Sequence, residues 1–196
     1  MNSTIDRREA IKRTALLMGA AVSASAISGV LNGCKPTPKL IYTPVFFTPD
    51  QARIVTEVCE IIIPKTDTPG AKDAGVPGFI DTMLKDCYNK DDKERYLEGL
   101  TAFDERAKTT YGDRFIYCEA EQQTELVKVV HDEALQMMKE NREAKRPFIL
   151  MTKELTLLGF FTSEPGATQV LQYVPVPGSY KGCIPLSEAG NGKAWA

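Results

Sequence analysis

The chain has 196 residues, with 24 Lys and Arg against 26 Asp and Glu, a formal charge of −2 and a pI near 5.6. At 43% hydrophobic and 26% charged it has the make-up of a globular protein with one buried core, neither disordered nor collagenous. The acidic balance argues against nucleic acid, which needs a basic surface field. One His and no Cys-x-x-Cys pair exclude a zinc finger or a c-type haem site.

Residues 1–33 read as a targeting segment and are set aside from the fold. Arg7 and Arg8 are adjacent, with Lys12 four residues after the second, ahead of a mildly apolar Ala/Ser/Gly-rich run over 14–31. The arrangement is similar to a twin-arginine export signal, an address read by a receptor, with Asp6 and Ala10 departing from the usual pattern. The run suits a signal h-region better than a permanent membrane span. Leu31-Asn32-Gly33-Cys34 resembles a bacterial lipobox, in which the cysteine receives a diacylglyceryl group and becomes the first residue. The alternatives are an ordinary cleaved signal with Cys34 incidental, or an uncleaved amphipathic anchor. Without 1–33 the remaining 163 residues carry 20 basic and 24 acidic groups, a net of −4. Such a body is not itself a membrane-surface binder. Residues 36–44, with Pro36, Pro38 and Pro44, read as extended, so that 34–47 forms a lipid-anchored spacer before a helical domain over 48–186.

The first helix starts at Thr48-Pro49-Asp50-Gln51, with a Thr cap, Pro in the first turn and Gln where a capping box wants it. Val55, Val58, Cys59 and Ile62 follow on one face, and Pro64 ends the helix. Residues 64–76, with two prolines, two glycines and four charges, form a loop. A second helix restarts at Pro77 and places Ile80, Met83, Leu84 and Cys87 at the same spacing. A third, over about 90–111, turns Leu100, Phe103 and Ala107 inward and stops at Gly112. A fourth, over about 119–142, uses Leu126, Val127, Val130, Ala134 and Met137 or Met138. The fifth, over 148–162, is apolar on nearly every side, as expected for the buried centre of a bundle. Glu164-Pro165-Gly166 opens one short helical turn ending near Leu171, and residues 173–180 are too rich in Pro for helix or central strand. The expectation is an all-α bundle of about five helices, with an extended Pro/Gly/Tyr-rich segment and a frayed tail over 187–196.

Chemistry is harder to find. There is no Gly-x-Gly-x-x-Gly after a strand and no P-loop. His131, beside Asp132 and Glu133, is the sole imidazole. With no nucleophile placed by spacing, a structural role outweighs that of a catalytic base. Beyond Cys34 an even number of cysteines remains in an exported chain, Cys59, Cys87, Cys118 and Cys183. They are candidate disulfide partners, either as two bridges with three connectivities open or as one bridge with two buried thiols, and Cys59 and Cys87 also suit core filling. Their wide spacing matches no metal or iron–sulfur site. Asp67, Asp73, Asp81 and Asp86 share no helical face and read as solvated loop residues or caps rather than a carboxylate pair. The 65–72 loop, with Lys65 and Asp67, and the 173–180 segment, with Tyr173, Pro175, Pro177 and Tyr180, are the candidate partner contacts. The alternative is that both pack on their own bundle.

Two stretches carry a resemblance. The first is Ile61-Ile62-Ile63-Pro64-Lys65-Thr66-Asp67-Thr68-Pro69-Gly70-Ala71, continuing through Gly75-Val76-Pro77 and Phe79-Ile80-Asp81. The second runs from Glu154 to Ala167 as ELTLLGFFTSEPGA. Tyr173, Pro175, Pro177, Gly178, Tyr180, Gly182 and Cys183-Ile184-Pro185-Leu186 follow it. Together they resemble the gluconate 2-dehydrogenase subunit 3 family over about 47–186.

The resemblance implies a non-catalytic small subunit, with no catalytic, cofactor-binding or metal residue of its own. Members of that family accompany a large FAD-containing flavoprotein of the glucose–methanol–choline type, often with a multihaem cytochrome c supplying haem c. The complexes oxidise sugars or sugar acids at the periplasmic face. The small subunit is expected to bring the twin-arginine address, engage the translocation machinery and help the partner mature. Cys34 would add a membrane anchor. A stand-alone envelope lipoprotein, or an enzyme in its own right, are the competing readings.

Overall fold

The computed structural model describes residues 37–176, 178–179, 182–188 and 192–194. The expected export residues Arg7 and Arg8, the expected lipid site Cys34, and the candidate contacts Pro177 and Tyr180 lie outside the described residues.

Five helices account for most of the described chain, and no strand occurs among the described residues. Helix α1, Pro49–Ile62, starts on the predicted capping box: Gln51 N–H donates to Thr48 Oγ1 at 3.3 Å, and Thr48 N–H to Gln51 Oε1 at 3.0 Å. Its Ala52, Ile54, Val55, Val58 and Cys59 are buried. Helix α2, Val76–Cys87, begins one residue before Pro77, because Gly75 takes the left-handed conformation (φ +72°) that turns the loop into the helix. Helix α3, Lys90–Tyr111, is capped by Asn89, which accepts from Asp92 N–H at 2.9 Å, and stops on left-handed Gly112. A single 3₁₀ turn, Phe115–Tyr117, leads to α4, Ala120–Glu140. Helix α5, Phe148–Phe161, packs against each of the other four.

The central place of α5 follows from its composition and from close approaches. A Cβ on Gly159 would sit 2.6 Å from the Phe79 ring of α2, and one on Gly99 of α3 would sit 2.8 Å from Phe148 Cβ. Rings pave the seam between α3 and α5, with Tyr96 and Phe148 edge to face at 5.5 Å and Phe103 5.4 Å from Phe148. The buried polar atoms here are paired. Tyr96 and Thr152 hydroxyls meet at 2.7 Å, and Thr156 Oγ1 donates to Thr152 O at 2.7 Å. Burial holds the Tyr96 phenol well above its ordinary pKa.

The segment ahead of α1 is seated on the bundle rather than standing off from it. Phe47 is buried, and Leu40, Tyr42 and Phe46 pack against the core. What fastens it is Asp81 of α2, which was expected to be solvated and is instead 1% exposed. Its Oδ2 accepts from Val45 N–H at 2.6 Å, and its Oδ1 from Phe46 and Phe47 N–H at 3.1 and 2.8 Å. A carboxylate can be buried here because three amide donors replace its water.

After α5 the chain turns through Gly166–Val170, a π-helical turn. A side chain on Gly166 would collide with the Phe160 carbonyl, so this turn needs glycine. Leu171 is extended, and Gln172 N–H reaches Ala194 O at 2.8 Å.

Candidate partner-binding surface

The 64–75 loop is a built structure tied to α1. Glu60 reaches out of the helix so that its Oε1 accepts from Lys65 N–H at 3.1 Å and its Oε2 from Lys72 N–H at 2.9 Å. Gly70 lies so close beneath that a Cβ there would be 2.6 Å from both Glu60 Oε1 and Lys65 N. Lys72 Nζ pairs with Glu57 at 2.7 Å, and Ala71 N–H closes the base of the loop on Ile63 O at 2.9 Å. The candidate contact Lys65 is exposed and pairs with Asp73 at 2.9 Å, which raises the pKa of the lysine and lowers that of the aspartate. Asp67 is exposed at the tip. Nothing in the sequence pattern announces Glu57 and Glu60 as clamps, except that they interrupt an otherwise apolar run.

Of the second candidate segment, Tyr173 is 58% and Val176 83% exposed, and Pro175 is also at the surface. The end of α5 adds a patch missed by reading that helix as buried on every side. Leu157, Leu158 and Phe161 are 39%, 46% and 39% exposed. Their spacing places them on adjacent turns of one face. The opposite face, with Leu155, Thr156, Gly159 and Phe160, is buried.

None of the three pairings of the four candidate cysteines is formed, since Cys59, Cys87 and Cys183 are free thiols. Cys59 is enclosed in the core, where its sulfur lies 3.4 Å from Thr156 Oγ1 and burial pushes the thiol up to about 12. It fills space, as its position on an apolar face allows. Cys87 and Cys183 are exposed, and half-buried Cys118 directs its sulfur at the Arg114 carbonyl, 3.5 Å away.

His131 is held between two charged neighbours. Lys153 Nζ lies 2.9 Å from its Nε2, and Asp132 Oδ1 3.2 Å from its Nδ1. An ammonium can only donate, so Nε2 accepts and Nδ1 carries the proton. Elsewhere Arg114 joins the start of α1 to α3, bonding Asp50 and Asp104 at 2.9 Å each. Both carboxylates hold its pKa above the usual arginine range. This is a structural staple at the surface.

Among the described residues no group of three His, Cys, Asp or Glu is placed to hold a metal ion, and no helix is long and apolar enough to cross a membrane. What the geometry offers is a clamped loop, an exposed Tyr/Val segment and an exposed apolar helix face. No curated protein and no solved structure matches the chain. The profile described as gluconate 2-dehydrogenase subunit 3 matches residues 49–178, from the first residue of α1 into the 173–180 segment. The chain belongs to the gluconate 2-dehydrogenase subunit 3 family.

Proposed function

We propose that this chain is the non-catalytic small subunit of a periplasmic, membrane-associated, flavin-dependent dehydrogenase of sugars, sugar acids or polyols. In this reading it docks on the large flavoprotein, carries it through twin-arginine export by Arg7 and Arg8, assists its maturation and anchors it through Cys34. FAD belongs to the large subunit, and haem c to a third subunit where one is present. Loop residues Lys65 and Asp67 and the segment around Tyr173 and Pro175 contribute contacts.

The observation that carries the docking role is the exposed apolar face of α5, Leu157, Leu158 and Phe161, on a member of a dehydrogenase-subunit family. A contiguous apolar face on a small acidic domain gains stability by being covered. The test pairs two variants. Leu158→Glu with Phe161→Glu leaves the bundle folded but releases the flavoprotein from co-purification. Arg7→Lys with Arg8→Lys strands both proteins in the cytoplasm. Export of the flavoprotein despite the second pair of changes would refute the shared-address role, and undiminished association of the first would remove α5 from the interface.

A further inference from the structure

Among the grooves between the described helices, one differs in its charge. One of about 530 Å³ between α3, α4 and α5 sets Arg95, Arg106 and Lys145 beside Glu98, and Arg106 is already held by Glu133. A second mixes Arg95, Lys145 and Arg146 with Asp91, Asp92 and Glu154. A third sets Arg114 among Asp50, Asp104 and Glu105. The groove of about 250 Å³ between the end of α1, α4 and α5 has apolar walls, among them Ile61, Val127 and Ile149. Its charged or titratable lining is Lys128, His131 and Lys153, with no carboxylate.

That lining is unusual in a body that is net acidic. Lys153 is half-buried, and its one hydrogen-bond partner among the described residues is the neutral Nε2 of His131. Lys128 lies one turn before His131 on α4 and forms no ion pair among the described residues. Among the described residues, half-buried Lys153 and exposed Lys128 thus line an apolar groove that contains no carboxylate, an arrangement that an entering carboxylate would stabilise. Lys153 and Leu157 are four residues apart on α5, so both lie along one side of that helix.

We infer that this groove receives an acidic side chain, Asp or Glu flanked by apolar residues, from the dehydrogenase partner, and that Lys128 and Lys153 form its ion pairs. The inference rests on the proposed subunit role. A free sugar acid is a poorer occupant, because isoleucine and valine walls would leave its hydroxyls without partners. His131 acts as a positioning residue here: by accepting from Lys153 it holds the ammonium toward the groove.

The test uses the purified complex of this chain with its flavoprotein. Zero-length carbodiimide coupling followed by peptide mapping should join Lys128 or Lys153 to an Asp or Glu of the partner. Lys128→Glu with Lys153→Glu should weaken association by about tenfold or more at low salt and flatten its dependence on NaCl. Lys128→Met with Lys153→Met keeps the aliphatic stems and should retain the wild-type melting temperature while losing the same salt dependence. Reversed variants that bind within about twofold of wild type, with no cross-link at either lysine, would overturn the inference while leaving the subunit role standing. Loss of binding to anionic-lipid vesicles with the complex unaffected would overturn it in favour of a membrane contact. A wild-type chain that captures no flavoprotein would overturn both.

Discussion

Replacing Asp81 probes how the segment leading from Cys34 is fastened to the bundle. The carboxylate is 1% exposed and accepts three main-chain N–H groups at 2.6, 2.8 and 3.1 Å. Asp81→Asn keeps the shape. Its amide oxygen can still accept from Phe46 and Phe47, but the NH₂ then opposes the Val45 N–H at the shortest of the three contacts. One charge-assisted bond lost and one donor facing another amount to about 2 kcal/mol. Asp81→Ala removes every acceptor and opens a small void. Counting about 1.5 kcal/mol for each stranded donor, and allowing for water reaching the half-buried ones, the loss is about 4 kcal/mol. Urea unfolding of the two variants, read at unchanged m, measures both values. Losses below about 0.5 kcal/mol in both would refute the fastening role. Equal losses would refute the account of three directed donors.

Further outcomes follow from other sites. Gly70→Ala should lower stability by about 1–3 kcal/mol, because the loop must move off Glu60 and the Lys65 amide. An unchanged melting temperature would contradict the clamp. Alkylation of the folded protein near pH 8 should modify Cys87 and Cys183 and spare Cys59, whose thiolate is suppressed by burial; equal labelling would contradict the enclosed core. The Asp50 carboxyl is held below its ordinary value of 3.8, first by its hydrogen bond from Arg114. Its stabilisation is therefore complete above that value and lost as pH falls through the lowered native one. Asp50→Asn should flatten the acid limb of the stability curve slightly, since the group is half exposed, and an unchanged limb would contradict the pairing. Tyr173→Ala should weaken the complex without moving the melting temperature; a large fall would place that ring in the core.

The helices were legible because their signals are local. Thr48 and Gln51 cap α1, Gly112 ends α3, and the apolar positions of α1 to α4 recur at helical spacing. Asp81 was not legible, since its partners are amides 34 to 36 residues away that no side-chain pattern marks. Helix α5 shows the limit of composition. Apolar residues on all sides predict burial on all sides, yet one face of its last turns, with Leu157, Leu158 and Phe161, is exposed. The 64–75 stretch read correctly as a loop, but its shape depends on Glu60 reaching across it. Lys128 and Lys153 stand on different helices, so their convergence is a product of packing alone.

The most direct measurement is a tagged purification of this chain from detergent-solubilised envelope, with a visible spectrum and an inventory of bands. The subunit account predicts a stoichiometric large protein and the absorbance of an oxidised flavin, both lost when Leu158 and Phe161 are made acidic. A colourless eluate with this chain alone would contradict it and favour a lone envelope lipoprotein.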